Sequence, residues 1–97
     1  MKIENLKSQI EALKPALRER FKVETIGIFG SYVRGEQKRK SDLDILVEFS
    51  DPPSLFEFVE MEDFLSQKLG IKVDLVMRDA LKPRIRDSIL GEAVYYV

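Results

Sequence analysis

Ninety-seven residues, 44% apolar and 34% charged, form one globular domain with a single core and a surface more heavily charged than average. The formal net charge of −1 argues against a protein that coats nucleic acid or lies on a membrane surface. Cysteine and histidine are absent, which excludes disulfides, thiolate nucleophiles, Cys or His zinc sites and Ser-His triads, and leaves carboxylates and hydroxyls to do any chemistry.

The first predicted element is an amphipathic helix, because Ile3, Leu6, Ile10, Leu13, Leu17 and Phe21 recur at steps of three and four. Pro15 sits inside it and predicts a kink or a restart near Lys14, since proline removes a backbone bond and crowds the preceding turn. The charged N-terminus has no apolar signal region, and no run approaches the roughly 20 apolar residues needed to span a bilayer. A cytoplasmic protein is the expectation.

"ETIGIF" reads as a buried strand ended by Gly30, and "SYVRGEQ" as a short helix opened by Ser31 and closed at Gly35 or shortly after. Lys38, Arg39 and Lys40 make a basic loop, read as a solvated turn or a steering patch for an acidic ligand. In "DLDILVEF" the residues alternate: Leu43, Ile45, Val47 and Phe49 on one side, Asp42, Asp44, Leu46 and Glu48 on the other. "DPPS" is a turn, and Ser54 with Glu57 spells a capping box ahead of a helix stopped by Gly70. That helix, with Leu55, Phe56, Phe58, Val59, Met61, Phe64, Leu65 and Leu69, is more apolar than one core face requires, and the surplus is read as a possible interface. "IKVDLVM" alternates again with Asp74 out of phase, a helix is predicted from about Pro83 to Leu90, and "AVYYV" closes as an edge strand. The predicted fold is a single two-layer α/β domain over residues 1–97, with a mixed sheet of three to four strands and the helices packed on one face.

The acids lie on the other face. Residues i and i+2 of a strand are roughly 6.6 Å apart and point the same way, so Asp42 and Asp44 repel one another unless cations intervene. Asp74 adds a third carboxylate, and all-oxygen donors suit magnesium or manganese. A glycine followed by a helix N-terminus, as at Gly30 and Ser31, favours an anion such as a phosphate. "GSYVRG" has the outer glycine spacing of a Walker A loop, but Glu36 and Gln37 stand where Lys and Ser or Thr are required, so that reading fails.

Gly30-Ser31, ten intervening residues, Asp42-x-Asp44 on an apolar strand and Asp74 in a later strand resemble the signature of the DNA polymerase β-like nucleotidyltransferase superfamily. The stretch "FGSYVRGEQKRKSDLDILVEF" narrows the resemblance to the minimal nucleotidyltransferases, similar to the catalytic lobe of kanamycin nucleotidyltransferase. The resemblance implies that Gly30, Ser31 and Arg34 contact the phosphates, and that Asp42, Asp44 and Asp74 hold two Mg2+ ions, or Mn2+, and form the catalytic set. It implies transfer of NMP from an NTP, ATP first among them, to a hydroxyl. Minimal members resemble the antitoxins of HEPN/MNT modules, which implies a helical HEPN-domain toxin as partner in a hetero-oligomer, modified on tyrosine; the near-neutral net charge adds the expectation of no direct nucleic-acid or membrane binding. Two other readings stay open: an antitoxin that neutralises its partner by binding alone, and a nucleotide-dependent regulatory subunit.

Overall fold

A computed structural model of the chain describes residues 3–30, 32, 42–78 and 95–96. In chain order these form helix α1 (Ile3–Phe21), strand β1 (Val23–Phe29), strand β2 (Leu43–Phe49), helix α2 (Leu55–Leu69), strand β3 (Val73–Met77) and strand β4 (Tyr95–Tyr96). The expected helix from Pro83 to Leu90 and most of "SYVRGEQ" lie outside the described residues; within the latter only Tyr32 is described, helical and buried.

Helix α1 runs through Pro15 as one element, so the expected restart does not occur. Pro15 lies on the exposed side, where one lost backbone bond falls on the solvated flank. Leu6 and Ile10 before the proline and Leu17 after it are fully buried, and that shared burial keeps both halves in one helix. The chain leaves the helix at Lys22, a non-glycine residue in the left-handed region (φ 59°), whose N–H donates to the Arg18 carbonyl at 3.1 Å.

The sheet order is β3-β2-β1-β4. β1 is antiparallel to both β2 and β4, whereas β2 and β3 are parallel. A parallel pair cannot close by a tight turn, and α2 provides the crossover. The expected edge strand is thus present at Tyr95–Tyr96, against β1.

Helix α2 begins and ends where its sequence signals stand. The Glu57 N–H donates to Ser54 Oγ at 3.2 Å, the Ser54 N–H donates to Glu57 Oε1 at 3.3 Å, and Gly70 terminates the helix at φ 68°. Leu6, Ile10, Leu17 and Phe21 of α1 and Met61, Leu65 and Leu69 of α2 pack into one cluster with Ile26, Ile28, Leu43, Ile45, Val47, Val73 and Leu75 of the sheet. Both helices therefore cover the same face, and the buried apolar surface there is the main stabilising term.

Helix α2 also braces the sheet edge. β3 has β2 on one side and no described strand on the other, so its alternate amides point outward. The Val73 N–H donates to Ser66 Oγ at 3.0 Å and the Leu75 N–H to Glu62 Oε2 at 3.1 Å. Glu62 and Ser66 stand one helical turn apart, which matches the spacing of the two amides and satisfies an edge that otherwise invites pairing with another chain.

Candidate active site

β2 and β3 enter the sheet together: the Leu43 N–H donates to the Lys72 carbonyl at 2.8 Å. From that tie the register follows, and Asp44 falls directly beside Asp74. Adjacent strands are about 4.8 Å apart and side chains at paired positions leave the same face, so two carboxylates share one spot on the side of the sheet opposite α1 and α2. Asp44 is half-buried and Asp74 exposed.

On the other side of β2, Asp44 pairs with Phe29, and Gly30 follows at φ +80°. A Cβ added at Gly30 would overlap the Asp44 carboxylate, standing 2.9 Å from its Cγ and 3.2 Å from its Cβ. Glycine is thus required twice at this position, for its left-handed backbone and for the space that Asp44 fills. Sequence reasoning assigned Gly30 to a phosphate turn and missed this contact, because nothing local links positions fourteen residues apart.

Asp42 precedes the strand by one residue. Its side chain is 42% exposed and its Oδ2 lies 3.9 Å from the Lys72 ammonium, a weak solvent-screened pair. The three acids expected on one face are therefore placed as a neighbouring pair, Asp44 and Asp74, with Asp42 at the strand mouth beside a lysine. Among the described residues no group of three or more acids stands close enough to hold an ion; like charges gain nothing by converging without a cation between them, and Lys72 supplies Asp42 with a competing attraction. In kind, the donors fit a hard divalent ion, since all are carboxylate oxygens at the open end of a strand pair. Ser31 and Arg34, and the basic run Lys38 to Lys40, lie outside the described residues.

Further along the same face, Leu46 is only 2% exposed, although the alternation grouped it with the acids. Beyond it, Glu48 Oε1 accepts hydrogen bonds from Thr25 Oγ1 at 3.0 Å and from Arg78 Nη1 at 2.9 Å. Thr25 and Glu48 are register partners, so this polar clasp links β1, β2 and the end of β3 while the acids occupy the opposite end of the face. The sequence signal for Glu48 was its place in the alternation; its partners depend on strand order.

The nucleotidyltransferase domain family model matches residues 10–96. The protein adenylyltransferase MntA of Thermococcus cleftensis is 53% identical over 93 residues, which are 96% of this chain and 94% of that protein. A solved structure of a candidate minimal nucleotidyltransferase aligns at a TM-score of 0.79 and 36% identity, covering 96% of this chain and 94% of the other. A chain in the crystal structure of a toxin–antitoxin with AMP-PNP aligns at a TM-score of 0.67 and 33% identity, over 80% of this chain and 61% of the other. Identity of 53% to an adenylyltransferase over nearly the whole chain, joined to a sheet that sets Asp44 beside Asp74 against a glycine turn, leads to one assignment: the chain belongs to the nucleotidyltransferase domain family, as a minimal nucleotidyltransferase homologous to MntA.

Proposed function

We propose that this nucleotidyltransferase moves AMP from ATP to a tyrosine hydroxyl of a HEPN-domain toxin and thereby acts as its antitoxin. The observation that carries the reading is the register pairing of Asp44 with Asp74 next to Gly30. A carboxylate pair on the face opposite α1 and α2 suits an acid-rich centre for phosphoryl chemistry, and the toxin–antitoxin relative with AMP-PNP supports the nucleotide and the partner class. HEPN identity and the tyrosine come from the family resemblance of "FGSYVRGEQKRKSDLDILVEF".

In this reading Asp42, Asp44 and Asp74 would hold two Mg2+ ions, which would neutralise the phosphate charge that three carboxylates would otherwise repel. Gly30, Ser31 and Arg34 hold the triphosphate, with backbone N–H groups, a hydroxyl and a guanidinium as donors. The acceptor oxygen forms a bond to the α-phosphorus as the bond from that phosphorus to the bridging oxygen breaks. Pyrophosphate leaves, and the hydroxyl proton passes to a carboxylate, for which Asp74 is the most solvent-accessible of the strand pair. Holding acceptor and nucleotide in line is worth several kcal/mol of barrier, so the isolated chain is expected to bind ATP and to transfer slowly until the partner is present.

The test is incubation of the chain with ATP, Mg2+ and a candidate HEPN-domain partner protein, read by intact-protein mass spectrometry. A +AMP species on the partner, absent with the Asp42→Asn/Asp44→Asn double variant and in EDTA, is the expected result. If the double variant neutralises the partner as well as the wild type and neither mixture yields an adduct, neutralisation is by binding alone. Equal ATP affinity in Mg2+ and EDTA, measured by calorimetry, defeats the metal-bridged site.

A further inference from the structure

The first five residues of α2 carry three large apolar side chains that the fold leaves in solvent: Leu55 is 76% exposed, Phe56 86% and Val59 48%. The helix does not need them for its own contacts. Met61, Leu65 and Leu69 supply its buried stripe, and Leu55, Phe56 and Val59 fall outside that stripe, toward Glu60 and Asp63, both exposed. Exposed aromatic and aliphatic groups clustered at one helix end, rimmed by polar residues, are characteristic of a protein-binding surface.

Charge decides what fits. Residues 51–63 contain Asp51, Glu57, Glu60, Glu62 and Asp63 and no lysine or arginine, within a chain whose net charge is only −1. Glu62 is turned to the Leu75 amide, Glu57 closes the capping box on the Ser54 N–H and Glu60 pairs with Arg20, which leaves Asp51 and Asp63 as the acids flanking the apolar cluster. A two-fold dimer through this patch would set acid against acid. An anionic lipid surface would be repelled in the same way. The complementary occupant is a protein surface with an apolar cleft flanked by lysine or arginine.

Position separates this patch from the acids. β2 runs from the Asp42–Asp44 end to Phe49, and the chain then turns through residues 50–54 into α2, so the first turn of α2 lies at the far end of β2, about 20 Å along the strand, on the helical side of the sheet. We propose that Leu55, Phe56 and Val59, with their acidic rim, form a docking anchor for a basic-flanked apolar cleft on the partner protein, holding it without covering Asp44 and Asp74. The inference rests on the reading of the acceptor as a protein.

The experiment uses the whole 97-residue chain and the same HEPN-domain partner protein, with complex formation followed by calorimetry at two salt concentrations. The Leu55→Ser/Phe56→Ser variant should weaken the complex by at least about tenfold while Mg-ATP affinity stays within twofold. Asp51→Lys/Asp63→Lys, which leaves the apolar groups in place, should also weaken it and flatten its salt dependence. Docking is refuted if Leu55→Ser/Phe56→Ser binds the partner and labels it with AMP at wild-type levels, or if sedimentation shows self-association that this variant abolishes. Patch-dependent binding with no AMP adduct in any mixture would instead leave the anchor standing and remove the transfer reaction.

Discussion

The two faces of β2 answer to different demands. Toward the helices, Leu43, Ile45 and Val47 are buried to within 1% of completely, in contact with both α1 and α2 residues of one cluster. On the reverse, Asp44 and Glu48 are half-buried and flank Leu46. In the proposed function, alternate residues of one seven-residue strand serve stability and chemistry separately, and a change at one position should leave its neighbour's duty intact.

Adjacent residues test that separation most severely. Ile45→Ala should cost about 2–5 kcal/mol of stability by removing a fully buried side chain from the shared core, and denaturant unfolding will read it; any folded fraction should retain transfer. Asp44→Asn should do the opposite: about 10²–10³-fold less transfer with an unchanged or slightly raised melting temperature, because repulsion from Asp74 is relieved. Similar stability losses from both variants would abolish the distinction between the faces.

Gly30→Ala should damage both sides at once. The added methyl meets the Asp44 side chain and the backbone is left-handed, so a loss of about 1–3 kcal/mol is expected, together with reduced Mg-ATP affinity as Asp44 is displaced. Unaltered affinity in a folded Gly30→Ala protein would show that the Asp44 position seen against Gly30 is not the one used.

Smaller effects should come from the supports. Glu62→Ala removes the acceptor for the Leu75 amide, next to Asp74 in β3, and is expected to cost about 1 kcal/mol and to speed hydrogen exchange at that amide, whereas Glu62→Gln keeps an acceptor and should lose less. Lys22→Gly relieves a left-handed non-glycine residue away from both faces. A gain of about 0.5–1 kcal/mol in thermal unfolding, with transfer untouched, is expected.

What the sequence determined alone was local. Side-chain alternation put Asp44 and Glu48 on one face of β2 and Leu43, Ile45 and Val47 on the other; helical spacing marked α1; Ser54, Glu57 and Gly70 bounded α2; each signal acts over a few residues and needs no partner. Tertiary structure decided the rest. Whether Pro15 breaks α1 depends on what its two halves bury together. Asp74 comes beside Asp44, and Gly30 against it, only because β2 pairs parallel to β3 and antiparallel to β1, and strand order is set by the total apolar surface the layers bury, a quantity no single segment carries. The same holds for α2: its excess apolar residues are visible in composition, yet only packing shows that Met61, Leu65 and Leu69 go inward while Leu55 and Phe56 are left in water, because one helix can press a single stripe against a sheet.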